Sequence, residues 1–586
     1  MTTLPEAFLA RPRTVAHTLA AFLAGSGVQR VYGLTGSHIK PIWEELAHAG
    51  VRVIDVRHEV AAVHMAQADA DLTGELAVAT VTTGPGLTNA VTGIAAAHQG
   101  RVPVLVLSAL PPQDQLGLGA LEELAQAELV APITRLARTI TSPRQVLPFL
   151  RAAFAAGVGE DGLPGPVYLD LPTDLLRQND PWSDLAEATA GALRSPVAVP
   201  ANESSLQAAR DAIARARRLV VISGRGAAAA GPALQRFLES TGALYLDTTE
   251  SRGLVPTDHE AWVPAMRARV MAEADTVITI GRRLDFSLAF GSAVAFAGLA
   301  ELVRIGSTFE QTGENRPGTV QVKGDPGQVL DALVKVGARP DDVDTAWRTS
   351  TIAIDRQRRE TWADRAAAAP VGPDGAIHPN ALIAAVNQAL ADHDCLTIAD
   401  GGDVLSFARV GLNPPARLDT GTFGCIGVGV PFSVAASVVH PEKVVLALVG
   451  DGSLGFNVME LDSARRAGAR PVIVVSNNEA WNIERHDHVH NYADNPGYNT
   501  SLPGCRYDVI AQGLGLHAER VTDVNRLGSA LAEAIANAPS LLDVRTSREV
   551  QSPDFTGGLA DLRPLHVLRA WDDAERHLHM TKGDPA

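Results

Sequence analysis

Short apolar runs alternate with longer stretches of helical periodicity along most of the chain. In its first third, five runs are apolar at nearly every position, as in strands that are buried on both faces: RVYGL, VRVIDV, LAVATVTT, PVLVLSA and PVYLDLP. Because segments of helical character separate these runs, the pattern predicts a parallel sheet with helices on both of its faces.

The same alternation returns twice farther along the chain. The second block contains RLVVISG, GALYLD, TVITIG and LVRIG, and the third contains CLTIADGG, KVVLALVGDG, RPVIVVSNN and SLLDVRTS. A polar connector and the charged helical segment IAIDRQRRETWADRAAAAP separate the blocks. We therefore predict an α/β protein with three doubly wound parallel-sheet domains, at residues 1–185, 200–345 and 370–550. The tail at 551–586 is either a frayed terminus or a segment that covers the active site.

Composition narrows the class of protein. Of the 586 residues, 46% are hydrophobic and 20% are charged, which is typical of a soluble globular enzyme. The net charge of −16 comes without a basic patch, so we expect no nucleic-acid partner. No run approaches the roughly 20 apolar residues of a membrane span. Cys395, Cys425 and Cys505 are too scattered for a disulfide framework, and the N-terminus lacks a signal-peptide pattern, so we expect a cytoplasmic protein.

Polar residues stand where two strands of the third block end. Gly450-Asp451-Gly452 follows one apolar run, and Asn477-Asn478 follows the next. In an open parallel sheet, ligands bind at the carboxyl ends of the strands, so the two clusters should converge. Glycines let backbone amides approach a phosphate, while carboxylate and carboxamide oxygens suit Mg²⁺. The pattern indicates a diphosphate with a divalent metal, although Gly-Asp-Gly alone is more often a turn.

The Gly-Asp-Gly segment followed nearly thirty residues later by Asn-Asn resembles the cofactor motif of the thiamine-diphosphate-dependent enzymes. The resemblance covers nearly the whole chain, and it implies pyrimidine-binding, central and diphosphate-binding domains in that order. It implies that Asp451, Asn478 and the backbone carbonyl of Ala480 hold Mg²⁺, which bridges the diphosphate of thiamine diphosphate. The cofactor-contacting residues that it implies in the third block are Gly402, Asp403, Ile426, Gly450, Asp451, Gly452, Ser453 and Asn478.

Two of these implied contacts extend beyond the metal motif. ADGGD, which includes Gly402 and Asp403, resembles the loop that opens the diphosphate domain. In GTFGCIGVGVPF, Ile426 takes the place of the large apolar residue that props the cofactor into its bent shape. Ordinary core packing is the alternative interpretation of Ile426.

Glu59, in the segment VIDVRHEVAAVHMAQ, is the predicted catalytic carboxyl group. The resemblance implies that this group hydrogen-bonds the aminopyrimidine ring and promotes loss of the thiazolium proton. GPGLTN, about 25 residues later, resembles the segment that follows this glutamate in the family. The alternative is an ordinary helix N-terminal charge near Arg57 and His58.

The segment VYGLTGSHIKPIW is similar to the benzaldehyde lyase, 2-hydroxyacyl-CoA lyase and acetolactate synthase group. The resemblance implies that the backbone at Gly36 flanks the substrate and that the imidazole of His38 moves protons on it. Trp481 would line the site of a second substrate. Leu121 or Glu122 stands near the position where many relatives have a substrate-contacting glutamine, so we do not assume a proton relay from a glutamine.

The chain also departs from the family. ADAD, at 68–71, replaces a Gly-Tyr-Ala-Arg stretch, and Asn482 and Ile483 change the wall after Trp481, which argues against a standard branched-chain acetolactate synthase. VISGRGAAAAG is only a weak nucleotide pattern, so FAD is not predicted from it, and whether CoA, ADP or FAD binds the central domain stays open. His486, His488 and His490 alternate, so a strand would align them and a helix would spread them; a polar rim is favoured over metal chelation.

Together these features imply a thiamine-diphosphate- and Mg²⁺-dependent carbon-carbon lyase or carboligase. Its donor would be a 2-oxoacid, an aldehyde or a 2-hydroxyacyl compound, and the reaction would pass through ylid and enamine intermediates. The alternatives are a 2-oxoacid decarboxylase, a specialised acetolactate-synthase-like transferase and a non-catalytic cofactor-binding homologue. The resemblance further implies a homodimer or homotetramer in which Glu59 and Asp451 meet across a subunit interface.

Overall fold

The computed structural model describes residues 4–160, 162–195, 198–491, 497–502 and 504–553. From residue 554 onward, the tail that was predicted to fray or to cover the site lies outside the described residues. The described residues form three α/β domains, each built on one parallel sheet, which confirms the predicted fold class.

The first domain has a six-stranded sheet. Its strands are Arg30–Gly33 (β1), Arg52–Asp55 (β2), Ala77–Thr80 (β3), Val104–Leu110 (β4), Leu136–Thr139 (β5) and Val167–Pro172 (β6), in the order β2-β1-β3-β4-β6-β5. Its helices are Glu6–Leu9 (α1), Val15–Gly25 (α2), Lys40–His48 (α3), Glu59–Thr73 (α4), Pro85–Gly100 (α5), Gln126–Val130 (α6), Val146–Val158 (α7), Thr173–Arg177 (α8) and Leu185–Ala190 (α9). The predicted domain limits stay predictions. Helix α9 extends past residue 185, the predicted end of this domain, and packs against α2.

The central domain has a five-stranded sheet. Its strands are Leu219–Ser223 (β7), Leu244–Leu246 (β8), Thr276–Ile280 (β9), Glu301–Gly306 (β10) and Val320–Lys323 (β11), in the order β11-β10-β9-β7-β8. Its helices are Glu203–Arg215 (α10), Gly231–Thr241 (α11), Arg267–Glu273 (α12), Phe309–Thr312 (α13), Pro326–Lys335 (α14) and Thr345–Ala368 (α15). The last of these contains the charged segment that was predicted to lead into the third domain.

The third domain has a second five-stranded sheet. Its strands are Cys395–Asp400 (β12), Val444–Gly450 (β13), Val472–Asn477 (β14), His517–Val521 (β15) and Ser540–Arg545 (β16), in the order β12-β13-β14-β16-β15. Its helices are Pro379–Leu390 (α16), Asp403–Gly411 (α17), Gly429–Val439 (α18), Asp451–Asn457 (α19), Glu460–Arg466 (α20), Asn482–Asn491 (α21), Tyr507–Gly513 (α22) and Val524–Ala536 (α23). Because β13 and β14 are neighbours, Asp451 and Asn478 emerge at the same edge of this sheet.

The first and third domains share one apolar core. Helix α4 of the first domain packs against α18 of the third, and their buried side chains belong to the same cluster. Within it, the His64 ring meets Phe432 edge to face, with 6.1 Å between the ring centroids. This packing holds α4, which begins at Glu59, in a defined position relative to the third domain.

The ADAD stretch that departs from the family takes part in two ion pairs. Asp69 is buried and accepts hydrogen bonds from Arg30 Nε at 2.6 Å and from Tyr32 Oη at 2.9 Å. Asp71 pairs with Arg225 of the central domain. The two aspartates therefore serve packing inside the first domain and docking of the central domain.

No disulfide bond links the described parts of the chain. All three cysteines have free thiols, and Cys395 and Cys505 pack against apolar core clusters. Over the described ranges, every helix is too short or too polar to cross a bilayer.

Asp69→Ala should destabilise the protein strongly, because it leaves the Arg30 guanidinium and the Tyr32 hydroxyl without their shared partner. Breaking such a buried pair costs about 3–5 kcal/mol, which should lower the thermal midpoint by several degrees at a fixed heating rate. The matched control is Asp342→Ala, which removes an exposed pair with Arg217 and should cost less than about 1 kcal/mol. Equal midpoints for the two variants would contradict this account.

Candidate active site

Glu59 lies at the carboxyl end of β2, as the first residue of α4. Its side chain is 6% exposed, and Asn89 Nδ2 donates a hydrogen bond to its Oε2 at 3.0 Å. Gly86 lies on the side of the other carboxyl oxygen, Oε1. Asn89 and Gly86 both belong to GPGLTN, so the structure brings together the two sequence features that pointed to an activating glutamate.

The GSHI loop lies at the same edge of the first sheet. Gly36 packs against Thr82, which also lies against Gly86. His38 Nδ1 is 3.6 Å from Glu122 Oε2, so the predicted proton-transfer group has a carboxylate beside it. The first domain thus gathers Gly36, His38 and Glu59 around one edge of its sheet.

The two candidates for the substrate-contacting position differ in exposure. Leu121 is 75% exposed, whereas Glu122 is half-buried against His38. A buried glutamine that sequence reasoning missed lies nearby: Gln126 Oε1 accepts a hydrogen bond from the Gly84 amide at 2.7 Å. In the sequence, the only indication of this role is that Gln126 stands a few residues after Leu121, at the start of a short helix. The role could be recognised only once the structure placed Gln126 beside Gly84.

Asp451 is the first residue of α19 and is 2% exposed. Burial raises the pKa of its carboxyl group to about 7, against the lowering effect of nearby backbone amides. Its Oδ2 accepts no hydrogen bond from the described residues. Tyr507 Oη donates to the Asp451 carbonyl oxygen at 3.0 Å, which fixes the backbone there. A buried carboxyl oxygen without a partner is a feature of a ligand site.

A second buried carboxyl group, on Asp403, lies close to Asp451. Asn478 Nδ2 and Asn482 Nδ2 donate to Asp403 Oδ2 at 3.0 and 3.1 Å. Burial raises the pKa of Asp403 to about 6, and its charge adds to the upward shift of the Asp451 pKa. Asn478 Oδ1 accepts from the Ala480 amide at 3.2 Å, so the predicted metal ligands Asp451, Asn478 and Ala480 share one neighbourhood.

Glycines bring the backbone close to the walls of this cluster. A Cβ on Gly452 would fall 2.4 Å from the Trp481 ring, so only glycine fits beside that tryptophan. Gly402 faces Ile483 in the same way, at 2.8 Å. Gly450 precedes α19 and Ser453 is buried in its first turn, and the backbone amides of a helix's first turn are suited to binding an anion.

Ile426 lies on a loop that polar side chains hold in place. Asp400, in the apolar interior, accepts hydrogen bonds from the amides of Gly427 and Gly429, the latter at 2.7 Å. Asn457 Nδ2 donates to the Gly427 carbonyl oxygen at 2.7 Å. Ile426 itself is only half-buried, so it lies outside the fully buried core; its role as a prop for the cofactor stays a prediction.

The three alternating histidines lie on a helix, α21, and therefore point in different directions. His486 is buried, with its Nε2 3.3 Å from Asn482 Nδ2, whereas His488 is half-buried and His490 is exposed. Within the described ranges, no group of three or more histidine, cysteine, aspartate or glutamate side chains is arranged to hold a metal ion. The Asp451 neighbourhood differs in kind, because its expected ligands include a carboxamide and a carbonyl oxygen.

The donor set of the third domain fits a divalent cation with a diphosphate. Two buried carboxyl groups have an oxygen each, Asp451 Oδ2 and Asp403 Oδ1, that accepts no hydrogen bond from the described residues. A hard cation would offset this negative charge and take a carboxamide and a carbonyl oxygen as further ligands. The Glu59 carboxyl group, with its own partner Asn89, offers a separate acid-base group on the first domain.

Comparison with known proteins links the three domains to one family. Family models of thiamine pyrophosphate enzymes match residues 13–129 (N-terminal TPP binding domain), 206–333 (central domain) and 401–544 (C-terminal TPP binding domain). The chain is 31% identical over 551 residues to a probable acetolactate synthase of Mycobacterium bovis, which covers 91% of this chain and 96% of that protein. It is 30% identical to 2-hydroxyacyl-CoA lyase 2 of Danio rerio, over 86% of each chain. The identity to human 2-hydroxyacyl-CoA lyase 2 is 29%, over 85% of this chain and 83% of the human one.

Cation binding at Asp451 should tighten as the pH rises. The carboxyl group has a raised pKa of about 7, so protons compete with the cation below that value and no longer do so above it. Titration calorimetry of Mg²⁺ with inorganic diphosphate should give an affinity about tenfold higher at about pH 8 than at about pH 6.

Asp451→Asn is the control for this measurement, because any pH dependence that it retains belongs to the diphosphate itself. Asp462→Asn, which changes a carboxyl group outside the cluster, should behave as the wild type. The same pH dependence in the wild type and in Asp451→Asn would show that this carboxyl group does not bind the cation.

Proposed function

The chain belongs to the thiamine pyrophosphate enzymes, and on that premise we propose that it is a thiamine-diphosphate- and Mg²⁺-dependent carbon-carbon lyase or carboligase. The observation that carries the proposal is the buried Glu59 carboxyl group, which Asn89 orients at the edge of the first sheet. A homologue that kept the cofactor only as a structural ligand would have no need of this group. The non-catalytic alternative is therefore disfavoured.

The third domain would hold the diphosphate end of the cofactor. Asp451, Asn478 and the Ala480 carbonyl oxygen would ligate Mg²⁺, and the amides at the start of α19 would bind the phosphates. Asp403 supports this arrangement by fixing the carboxamide of Asn478. Fixing the ligands in advance lowers the reorganisation that cation binding requires.

The first domain would supply the proton transfers. Thiamine diphosphate provides a carbon acid and an electron sink for cleavage of a bond next to a carbonyl group. Glu59 would exchange a proton with the pyrimidine ring, and Asn89 keeps its carboxyl group in one orientation. His38 would hold or move a proton at the substrate oxygen, and its Nδ1 lies 3.6 Å from Glu122 Oε2.

The proposed donor is a 2-oxoacid, an aldehyde or a 2-hydroxyacyl compound. Support comes from relatives of two kinds, a probable acetolactate synthase and 2-hydroxyacyl-CoA lyases, at similar identity to this chain. An acetolactate-synthase-like transferase is the second candidate because of the first relative. A simple 2-oxoacid decarboxylase is the third candidate. Such an enzyme releases its product without a second carbonyl substrate and therefore needs no site for one.

We propose a homodimer or homotetramer with the active site between subunits. Apolar side chains near the candidate site residues of the first and third domains are exposed in the single chain. Leu118 is 81% exposed and Leu121 75% in the first domain, and Phe456, on α19 of the third domain, is 61% exposed. A second copy that covers them would remove this apolar surface from water. The free thiols support a reducing compartment, and we propose the cytoplasm.

Glu59→Gln should leave cofactor binding intact and abolish most of the catalysis. The amide keeps the size of the side chain but does not accept and return a proton, so exchange of the thiazolium proton with solvent deuterium should slow by roughly 10²–10⁴-fold. The affinity for thiamine diphosphate should change by less than about threefold. Glu45→Gln, a change of another buried glutamate in the same domain, is the control and should exchange at the wild-type rate.

The reaction itself is tested by exposing the cofactor-loaded enzyme to a panel of 2-oxoacids, aldehydes and 2-hydroxyacyl-CoA thioesters. Mass spectrometry of the bound cofactor identifies the donor, and product analysis with an added aldehyde separates carboligation from simple decarboxylation. Wild-type protein that exchanges the thiazolium proton no faster than free thiamine diphosphate would rule out the proposed function.

A further inference from the structure

Glu460, the first residue of α20, joins the diphosphate-binding segment to the residues just before Glu59. It is 1% exposed and lies between the first and third domains. Its Oε1 accepts hydrogen bonds from the amides of Arg57 and His58, both at 3.0 Å. Its Oε2 accepts from Ser463 Oγ at 2.6 Å and, more weakly, from the Arg57 amide at 3.2 Å.

The two amides that Glu460 binds lie between secondary-structure elements. Strand β2 ends at Asp55 and α4 begins at Glu59, so Arg57 and His58 connect the two. Amides outside helices and strands have no partner from regular secondary structure, and here the buried Glu460 side chain from another domain accepts from both. The His58 side chain then caps α4 by accepting from the Val60 amide at 3.2 Å. The backbone at the start of α4 is therefore held before Glu59, at the Arg57 and His58 amides, and after it, at the Val60 amide.

Burying this carboxyl group is costly, which argues for a specific use. Burial raises the pKa of Glu460 to about 7, although Ser463 and the two amides act in the opposite direction. An apolar side chain of the same size would join the domains without that cost. What an apolar side chain lacks is the ability to fix the two amides next to Glu59.

We propose that Glu460 is a positioning residue for Glu59. By holding the Arg57 and His58 amides, it sets the backbone direction at the start of α4 and thus the direction in which the Glu59 carboxyl group projects. This inference rests on the proposed role of Glu59 as the proton-transfer group. The segment α19–α20 begins with Asp451. The segment that would bind the diphosphate of the cofactor would therefore also orient Glu59 of the same chain.

A purely structural role in joining the domains is the competing explanation. The same interface contains an ion pair that does not involve the amides: Asp462 Oδ2 is 3.3 Å from Arg57 Nη1, and Arg466 Nε of the same helix lies 2.8 Å from that oxygen. Asp462→Asn weakens the interface but leaves the two amides bound to Glu460. It is therefore the matched control for substitutions of Glu460.

The experiment compares Glu460→Asp, Glu460→Ala and Asp462→Asn with the wild type. Glu460→Asp keeps the charge but withdraws the acceptor by about 1.5 Å, so it tests position in a variant that retains a buried carboxyl group. In cofactor-free protein, hydrogen-deuterium exchange with mass spectrometry follows the amides of residues 57 and 58. In protein saturated with thiamine diphosphate and Mg²⁺, thiazolium proton exchange, kcat and cofactor affinity are measured.

Glu460→Asp should speed amide exchange at 57 and 58 and slow thiazolium exchange and kcat by about tenfold to a hundredfold, with cofactor affinity nearly unchanged. Glu460→Gln, whose remaining oxygen still accepts from both amides, should restore most of the rate. Asp462→Asn should leave both exchange rates near the wild-type values.

Wild-type thiazolium exchange in Glu460→Asp would overturn the positioning role alone, and so would an equal loss in Asp462→Asn. Wild-type protein without accelerated thiazolium exchange would overturn the proposed function and this inference with it. If Glu460→Ala does not fold, Glu460→Asp and Glu460→Gln still decide the question.

Discussion

The burial of two neighbouring carboxyl groups is the constraint on which the candidate site depends. Asp451 and Asp403 lie together out of water, with pKa values raised to about 7 and about 6. A carboxylate in such a place is stable only with a countercharge or several hydrogen-bond donors. Among the described residues, two side chains donate to one oxygen of Asp403, and none donates to Asp451 Oδ2. The proposed cation would supply the missing countercharge.

The arrangement of sheets places each of these acidic groups at the carboxyl-end edge of its own sheet. Parallel strands bring their carboxyl ends to one edge of a sheet; Asp451 directly follows β13, and Glu59 lies four residues beyond the end of β2. The shared core of α4 and α18 then joins the two domains that carry them. The central domain contributes through docking, since its Arg225 pairs with Asp71 of the first domain and with its own Glu250.

The central strands of each sheet could be predicted from the sequence, and three edge strands could not. Central strands are buried on both faces and read as continuous apolar runs. The strands without such runs are β5, β11 and β15, each at an edge of its sheet and only partly buried. Most of their side chains are half-buried or exposed, so their sequences lack a continuous apolar run and resemble those of loops.

The same distinction applies to the candidate site. The proposed metal ligands could be predicted from the sequence because they follow strands in a fixed order, and Asn89 lay inside a segment that resembles the family. Gln126 and Glu460 act through partners that are distant in sequence, Gly84 and the amides of 57 and 58, and no local pattern marks such contacts. The exposure of Leu121 likewise depends on packing that a sequence does not state.

Subunit complementation tests the central claim most directly, namely that Glu59 of one copy and Asp451 of another form one active site. Glu59→Ala and Asp451→Ala chains with different affinity tags are co-expressed, and mixed dimers are purified through both tags. Each mixed dimer then has one site with both changes and one site with neither, so activity should return to about half that of the wild-type dimer. Mixed dimers as inactive as the two parent variants would contradict the account, because every site would then contain one of the substitutions.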